Sequence, residues 1–252
     1  MYDKLSEELE FDFLRTGSYV VAFKREEVEY LKKLKERGKK NGVTNLEILT
    51  AKELKEKEPN LNEEIIAALW YPTAGITEPW EVSIAAIENA QENGAIVHLG
   101  EKVTDIIVQN QRVKKILTDK GEYDADIVIN AAGLFADEIA KKAGIGDFEI
   151  FSRKGEYILL DKRLKGLVNA VIFPTPTKKS KGILLGPNAV DLPKDQKENL
   201  ETTRDGLNEV YEKSRKLVSK IDLSYTVKTF AGLRSETKDK DFIIGATKVW
   251  VL

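Results

Sequence analysis

The chain has 252 residues, 42% apolar and 33% charged, with 40 basic against 42 acidic side chains and a net charge of −2, so it is long enough for one large or two smaller cores and carries no basic excess for nucleic acid. It has no cysteine and a single histidine, His98, which excludes disulfides, thiolate zinc, iron–sulfur ligation and histidine triads. No apolar run is long enough to cross a bilayer and the first residues lack a signal-peptide pattern, so a cytoplasmic protein with no integral membrane segment is expected.

Gly17 to Phe23 is a β-rich run. A charged helix is predicted from Arg25 to Lys40, with Val28, Leu31, Leu34 and Lys35 as a narrow stripe and Asn41-Gly42 as the stop. Thr50 is a good N-cap for a helix from Ala51 to Glu58, with Glu53 at the capping-box position and Pro59 closing the element. Ile65 to Tyr71 is an apolar run, and Pro79 opens a helix that Asn93-Gly94 ends. His98 reads as a strand residue facing solvent or a polar neighbour.

Val103–Val108, Val113–Leu117 and Asp126–Ile129 then read as consecutive short strands, the last entering the turn Asn130-Ala131-Ala132-Gly133 before a helix from Ala136 to Ala143. Small side chains at a strand-to-helix turn let a ligand approach the backbone, and a helix start favours negative charge; the plain alternative is a tight turn chosen for packing. Gly155–Leu160, Val168–Phe173, Gly182–Leu185, Ser224–Phe230 and Phe242–Ile244 are strand-like. Glu201 to Lys220 alternates as an amphipathic helix, and Pro174 to Lys181 is the expected flexible loop. Strands and helices mix without regular βα alternation, which predicts an α+β fold with a large, mostly antiparallel sheet. No GxGxxG or GxxxxGK[ST] occurs.

Three further segments accompany the Asn130 turn. They are Tyr71-Pro72-Thr73-Ala74-Gly75-Ile76-Thr77-Glu78-Pro79, Arg153-Lys154-Gly155-Glu156-Tyr157, and Ala231-Gly232-Leu233-Arg234-Ser235 followed by Asp241-Phe242-Ile243-Ile244-Gly245. In this order and at these intervals they resemble the FAD-dependent oxidoreductases typified by D-amino-acid oxidase. The branch it most resembles is the bacterial FAD-dependent glycerol-3-phosphate dehydrogenases and the related L-2-hydroxyglutarate oxidases. The resemblance covers nearly the whole chain, and four motifs in register are more specific than any one.

The resemblance implies a substrate-binding domain over residues 1–100 and 146–227, with an incomplete FAD-binding, Rossmann-like portion over 101–145 and 228–252. Family members open with a GxGxxG βαβ unit and end with a glycine-rich strand–helix. Neither is found here, and the hairpin around Gly182–Gly186 is shorter than the family's, so the chain reads as the interior of a longer flavoprotein. FAD is the cofactor implied for the complete protein.

The implied activity is oxidation of a small anionic substrate, glycerol 3-phosphate or a similar hydroxy compound, by hydride transfer to flavin. An L-2-hydroxyglutarate or amino-acid oxidase is one alternative, and an inert substrate domain that only binds a ligand or partner is another. A partner redox subunit or peripheral membrane association stays open.

By the same resemblance, Val103 matches a strand whose backbone lies by the adenine, and Ala131, Ala132 and Gly133 match the turn passing the cofactor. Arg234 matches an arginine that binds substrate carboxylate or phosphate, for which a guanidinium's paired, permanent donors are suited. Its plainer reading is a surface arginine paired with Glu236 or Asp239. Tyr157 matches the pocket over the flavin or is a core tyrosine. Arg153 and Lys154 add positive potential or form a solvated pair. Glu78 and Glu156 qualify as acid or base only if buried, and no catalytic residue is assigned.

Overall fold

A computed structural model describes residues 1–146, 148–175, 184–239 and 241–246. In chain order the first elements are α1 (Tyr2–Leu9), β1 (Phe13–Leu14), β2 (Ser18–Ala22), α2 (Arg25–Lys40), β3 (Glu47–Thr50) and α3 (Ala51–Lys57). Next come β4 (Ala67–Tyr71), β5 (Ile76–Thr77), α4 (Pro79–Glu92), β6 (Val103–Gln109), β7 (Arg112–Thr118), β8 (Glu122–Asp124) and α5 (Ala136–Lys142). The last are β9 (Phe151–Leu160), β10 (Val171–Pro174), β11 (Val190–Asp191), α6 (Arg204–Leu217) and β12 (Thr226–Glu236). No helix among the described residues is long and apolar enough to cross a membrane.

The chain divides into two compact units, residues 1–96, 156–189 and 201–231 in the first and 97–155, 190–200 and 232–252 in the second. The first is built on a four-stranded sheet in the order β10-β2-β4-β3, with β10 parallel to β2 and the other pairs antiparallel. Successive residues of β2 point to opposite faces. Tyr19 and Val21 join a core with Ala68, Ile172 and Val210 of α6, while Val20 and Ala22 join Leu31 and Leu34 of α2 with Leu69. A strand covered on both faces reads as a continuous apolar run, as this one does from Tyr19 to Ala22.

The caps follow sequence logic. Thr50 accepts the Glu53 N–H while the Glu53 carboxylate takes the Thr50 N–H at 2.8 Å, the capping box expected for α3. On α2, Glu27 similarly accepts from the Lys24 and Phe23 N–H groups.

In the second unit β6, β7 and β8 form an antiparallel meander. Ile106, Val113, Val128 and Ala143 make its core. The expected antiparallel pairing is therefore present, but among the described residues it is spread over four sheets of two to four strands rather than one large sheet.

Several local expectations are corrected. Asp126–Ile129 is not a strand: an isolated bridge occurs at Val128, which is buried, while Ile127 and Ile129 are 60% and 74% exposed. The alternation of a strand survives there without a ladder to fix it. Phe242–Ile244 is likewise irregular and exposed. His98 lies outside any strand, with Nδ1 3.2 Å from both the Tyr123 hydroxyl and the Glu101 carboxylate. β12 runs past Phe230 to Glu236, which places Arg234 on a strand. The loop Pro174–Lys181 and the strand Gly182–Leu185 lie largely outside the described residues; Leu185 itself is paired with Ile158.

Candidate functional site

The turn at Asn130 is held by its own first side chain. Asn130 Nδ2 donates to the Ala136 carbonyl at 2.8 Å, and the Ala132 N–H donates to Asn130 Oδ1 at 3.3 Å. Gly133 has φ +54°, a left-handed conformation that glycine adopts without penalty, and a Cβ built there meets nothing within 4 Å. Ala131, Ala132 and Gly133 are exposed, leaving the backbone of the turn open.

Below the turn, α5 is fixed by Asp137, which is 4% exposed and has Lys197 Nζ at 3.4 Å and Lys141 Nζ at 3.6 Å. Burial pushes its carboxyl upward, but the Ile150 N–H and the two lysines outweigh this and hold it below the usual range. Lys197 also stands 4.9 Å from the centre of the Phe135 ring.

A cavity of about 860 Å³ opens at this turn, within the second unit. Asn130, Ala131 and Gly133 form one wall, and Arg234 and Glu236 of β12 form another, with apolar surface from Phe148 and Ile150. The Arg234 side chain is 60% exposed, and its Nη2 lies 3.9 Å from Glu236 Oε2, too far for a hydrogen bond. Glu236 is held more firmly by Arg153, whose Nη1 is 2.7 Å from the same oxygen and whose Nε is 2.5 Å from Asp191. Arg153 therefore ties the β11-β9 pair to the end of β12.

Of the residues singled out in the sequence, Ala131, Gly133 and Arg234 meet at this cavity. Ala132 belongs to the same turn but not to the cavity wall, and Val103 is half-buried against the core of the β6-β7-β8 meander. Tyr157 belongs to the first unit, where its ring stacks on Phe230 at 5.0 Å and 9°.

The reading of Arg153 and Lys154 as a solvated pair is corrected, since Lys154 is 3% exposed and Arg153 is ion-paired on two sides. Glu78 is exposed, so its condition for acid–base work is not met. Glu156 is fully buried, yet its carboxylate accepts from the Thr203 N–H at 2.7 Å, the Thr203 hydroxyl at 3.1 Å and Asn188 Nδ2 at 2.8 Å. That makes it the carboxylate that holds Thr203, the N-cap of α6, rather than a free acid or base. The sequence marks Asn130 only as the start of the turn and Glu236 only as a partner for Arg234; its signals for a larger role are position, Asn130 before the small residues and Glu236 two residues beyond Arg234 on one strand face.

The whole chain, residues 1–252, matches the family model of FAD-dependent oxidoreductases, DAO. It is 42% identical to a glycerol 3-phosphate dehydrogenase of Caloramator mitchellensis over 97% of this chain and 52% of that protein. It is 35% identical to an L-2-hydroxyglutarate dehydrogenase of Indibacter alkaliphilus over 74% of this chain and 50% of that protein. Among solved structures, the dithionite-reduced L-α-glycerophosphate oxidase of Mycoplasma pneumoniae with FAD bound superposes with a TM-score of 0.84 at 27% identity. That match covers 93% of this chain and 65% of the other. The chain spans about half the length of these two curated relatives. Its sequence and its fold thus agree, and the chain belongs to the FAD-dependent oxidoreductase (DAO) family.

Proposed function

We propose that this chain forms part of a flavin-dependent dehydrogenase that oxidises a small anionic hydroxy compound, with glycerol 3-phosphate as the leading substrate. The observation that carries the reading is the meeting of the open Ala131–Gly133 turn and the Arg234 guanidinium at one cavity. The 42% identity to a glycerol 3-phosphate dehydrogenase supports the substrate. The 35% identity to an L-2-hydroxyglutarate dehydrogenase favours a 2-hydroxy acid as the second reading.

The residues present fit the cofactor along one edge. A turn with no bulky side chain and an unobstructed Gly133 allows a flat ring system or a phosphate chain to reach the backbone. When bound, the flavin supplies the acceptor for the hydride that leaves the carbinol carbon. Arg234 holds the substrate's phosphate or carboxylate, and Asn130 keeps the turn in shape. In this reading Val103 and Ala132 support the cofactor edge from the strand and turn, and Tyr157 is assigned to substrate binding. The protein works in the cytoplasm and passes its electrons to a partner or a dissolved acceptor.

The relatives' additional length corresponds, in this proposal, to a glycine-rich unit that completes the flavin site, so FAD binding by these 252 residues alone is weak. Titrating FAD into the chain and into the full-length protein, with flavin absorbance as readout, tests that division. A full-length protein that stays colourless supports the inert binding module instead. Turnover is then measured with glycerol 3-phosphate, L-2-hydroxyglutarate and glycine. Glycerol 3-phosphate is expected to be the best substrate, and turnover of only the other two refutes the assignment. Arg234→Ala is expected to raise KM by the equivalent of about 2–4 kcal/mol, with stability unchanged.

A further inference from the structure

Glu236 stands in the cavity wall two residues from Arg234, so both side chains issue from the same face of β12. Its carboxylate is only 15% exposed, and Arg153 Nη1 stands 2.7 Å from Oε2 in an ion pair. Among the described residues no group donates a hydrogen bond to that buried oxygen. A buried acceptor without a donor carries a desolvation penalty that a ligand N–H or O–H removes. Arg153, itself anchored by Asp191, holds Glu236 in place, while Arg234 beside it remains largely exposed.

We propose that Glu236 is a specificity-determining residue, accepting a hydrogen bond from a ligand hydroxyl or ammonium group while Arg234 binds the ligand's anionic group. The two head groups are 3.9 Å apart. The preferred ligand is therefore compact, with its donor a few bonds from its phosphate or carboxylate. This rests on the reading of Arg234 as the anion anchor. It adds a requirement that an arginine alone does not impose: an anion of the same size without a donor leaves Glu236 unsatisfied and binds less well.

The probes are glycerol 3-phosphate and propyl phosphate, which share the phosphate and the chain length but differ in the hydroxyls. Both are titrated by NMR chemical shift into this 252-residue chain, and in parallel their KM and inhibition constants are measured on the full-length protein. The native sequence is expected to favour glycerol 3-phosphate by at least about tenfold, near 1.4 kcal/mol. Glu236→Leu is expected to bring that ratio close to one while propyl phosphate affinity changes less than about threefold, and Glu236→Asp to restore part of it.

Arg234→Ala is expected to weaken both ligands together. A ratio that survives Glu236→Leu, or a native sequence with no preference, overturns the proposal. Circular dichroism monitors folding, and if the leucine variant is unfolded the same ratio read on Glu236→Gln decides. Loss of the ratio in the Glu236 variants, with both affinities intact in Arg234→Ala, refutes the anion anchor alone; failure of FAD to bind is a separate result that leaves the ratio readable.

Discussion

The two units of this chain treat the same kind of apolar sequence in opposite ways. In the first, Val21, Ala68, Leu69 and Ile172 on three neighbouring strands are all completely buried, covered by α2 on one face and α6 on the other. In the second, Val128 is buried, but Ile127 and Ile129 on either side of it are exposed, as are Phe242 and Ile244 at 87% and 88%. A strand apolar on both faces needs cover on both. The first unit supplies that cover itself; the described residues of the second do not. The contrast teaches that the β2-β4-β10 core of the first unit is sealed on both faces, while the cavity-bearing unit leaves apolar side chains open beside the Asn130 turn.

The sharpest test of this contrast lies in the first core. Ile172→Ala is expected to destabilise the chain by about 3–4 kcal/mol, because the site is surrounded by packed neighbours that cannot collapse into the void. Urea unfolding followed by tryptophan fluorescence measures it, and a loss below about 1 kcal/mol shows the core to be looser than described.

Next in size is Gly206→Ala. In an ordinary helix alanine gains about 1 kcal/mol over glycine. Here the added Cβ would lie 1.4 Å from Glu156 Oε2, so the carboxylate must move and release Thr203 and Asn188. Overpacking and lost hydrogen bonds outweigh the propensity, and a net loss of about 2 kcal/mol is expected. A stabilised variant in thermal melts contradicts the role of Glu156 in holding Thr203, the N-cap of α6.

In the second unit, Asp137→Asn is expected to cost about 1–2 kcal/mol at neutral pH, since Lys197 and Lys141 lose a buried partner. The Asp137 carboxyl is held below its ordinary value of 3.8. Its contribution is therefore present above 3.8 and lost as pH falls through the lower, folded value. The variant accordingly differs most from the native sequence near neutrality and converges with it in acid, as denaturation midpoints measured across that range will report.

The smallest effect in this chain belongs to Ile129→Lys, expected to change stability by less than about 0.5 kcal/mol because the side chain is already in water. In a full-length protein whose further residues pack on that surface, the same change is expected to cost about 2 kcal/mol or more. Equal effects in the two contexts would remove the distinction drawn between the units.

The sequence by itself determined the elements whose signals are local. α2 follows from its stripe and stop, α3 from the Thr50–Glu53 capping box, and the β6-β7 hairpin from two alternating runs around Asn110-Gln111. The small residues of the Ala131–Gly133 turn are visible in one dimension, and the family resemblance singled out Arg234; that they line one cavity is a matter of the fold.

Only the tertiary structure decided the rest. Asp126–Ile129 has strand composition without a ladder, since hydrogen-bond partners come from elsewhere in space. Glu156 became the anchor of the α6 N-cap because the Thr203 N–H, 47 positions away, reaches its carboxylate. Glu236 gained its poised oxygen from Arg153, on another strand. Periodicity and capping depend on neighbours a few residues apart; burial and electrostatics depend on which distant segments the fold brings within hydrogen-bonding reach.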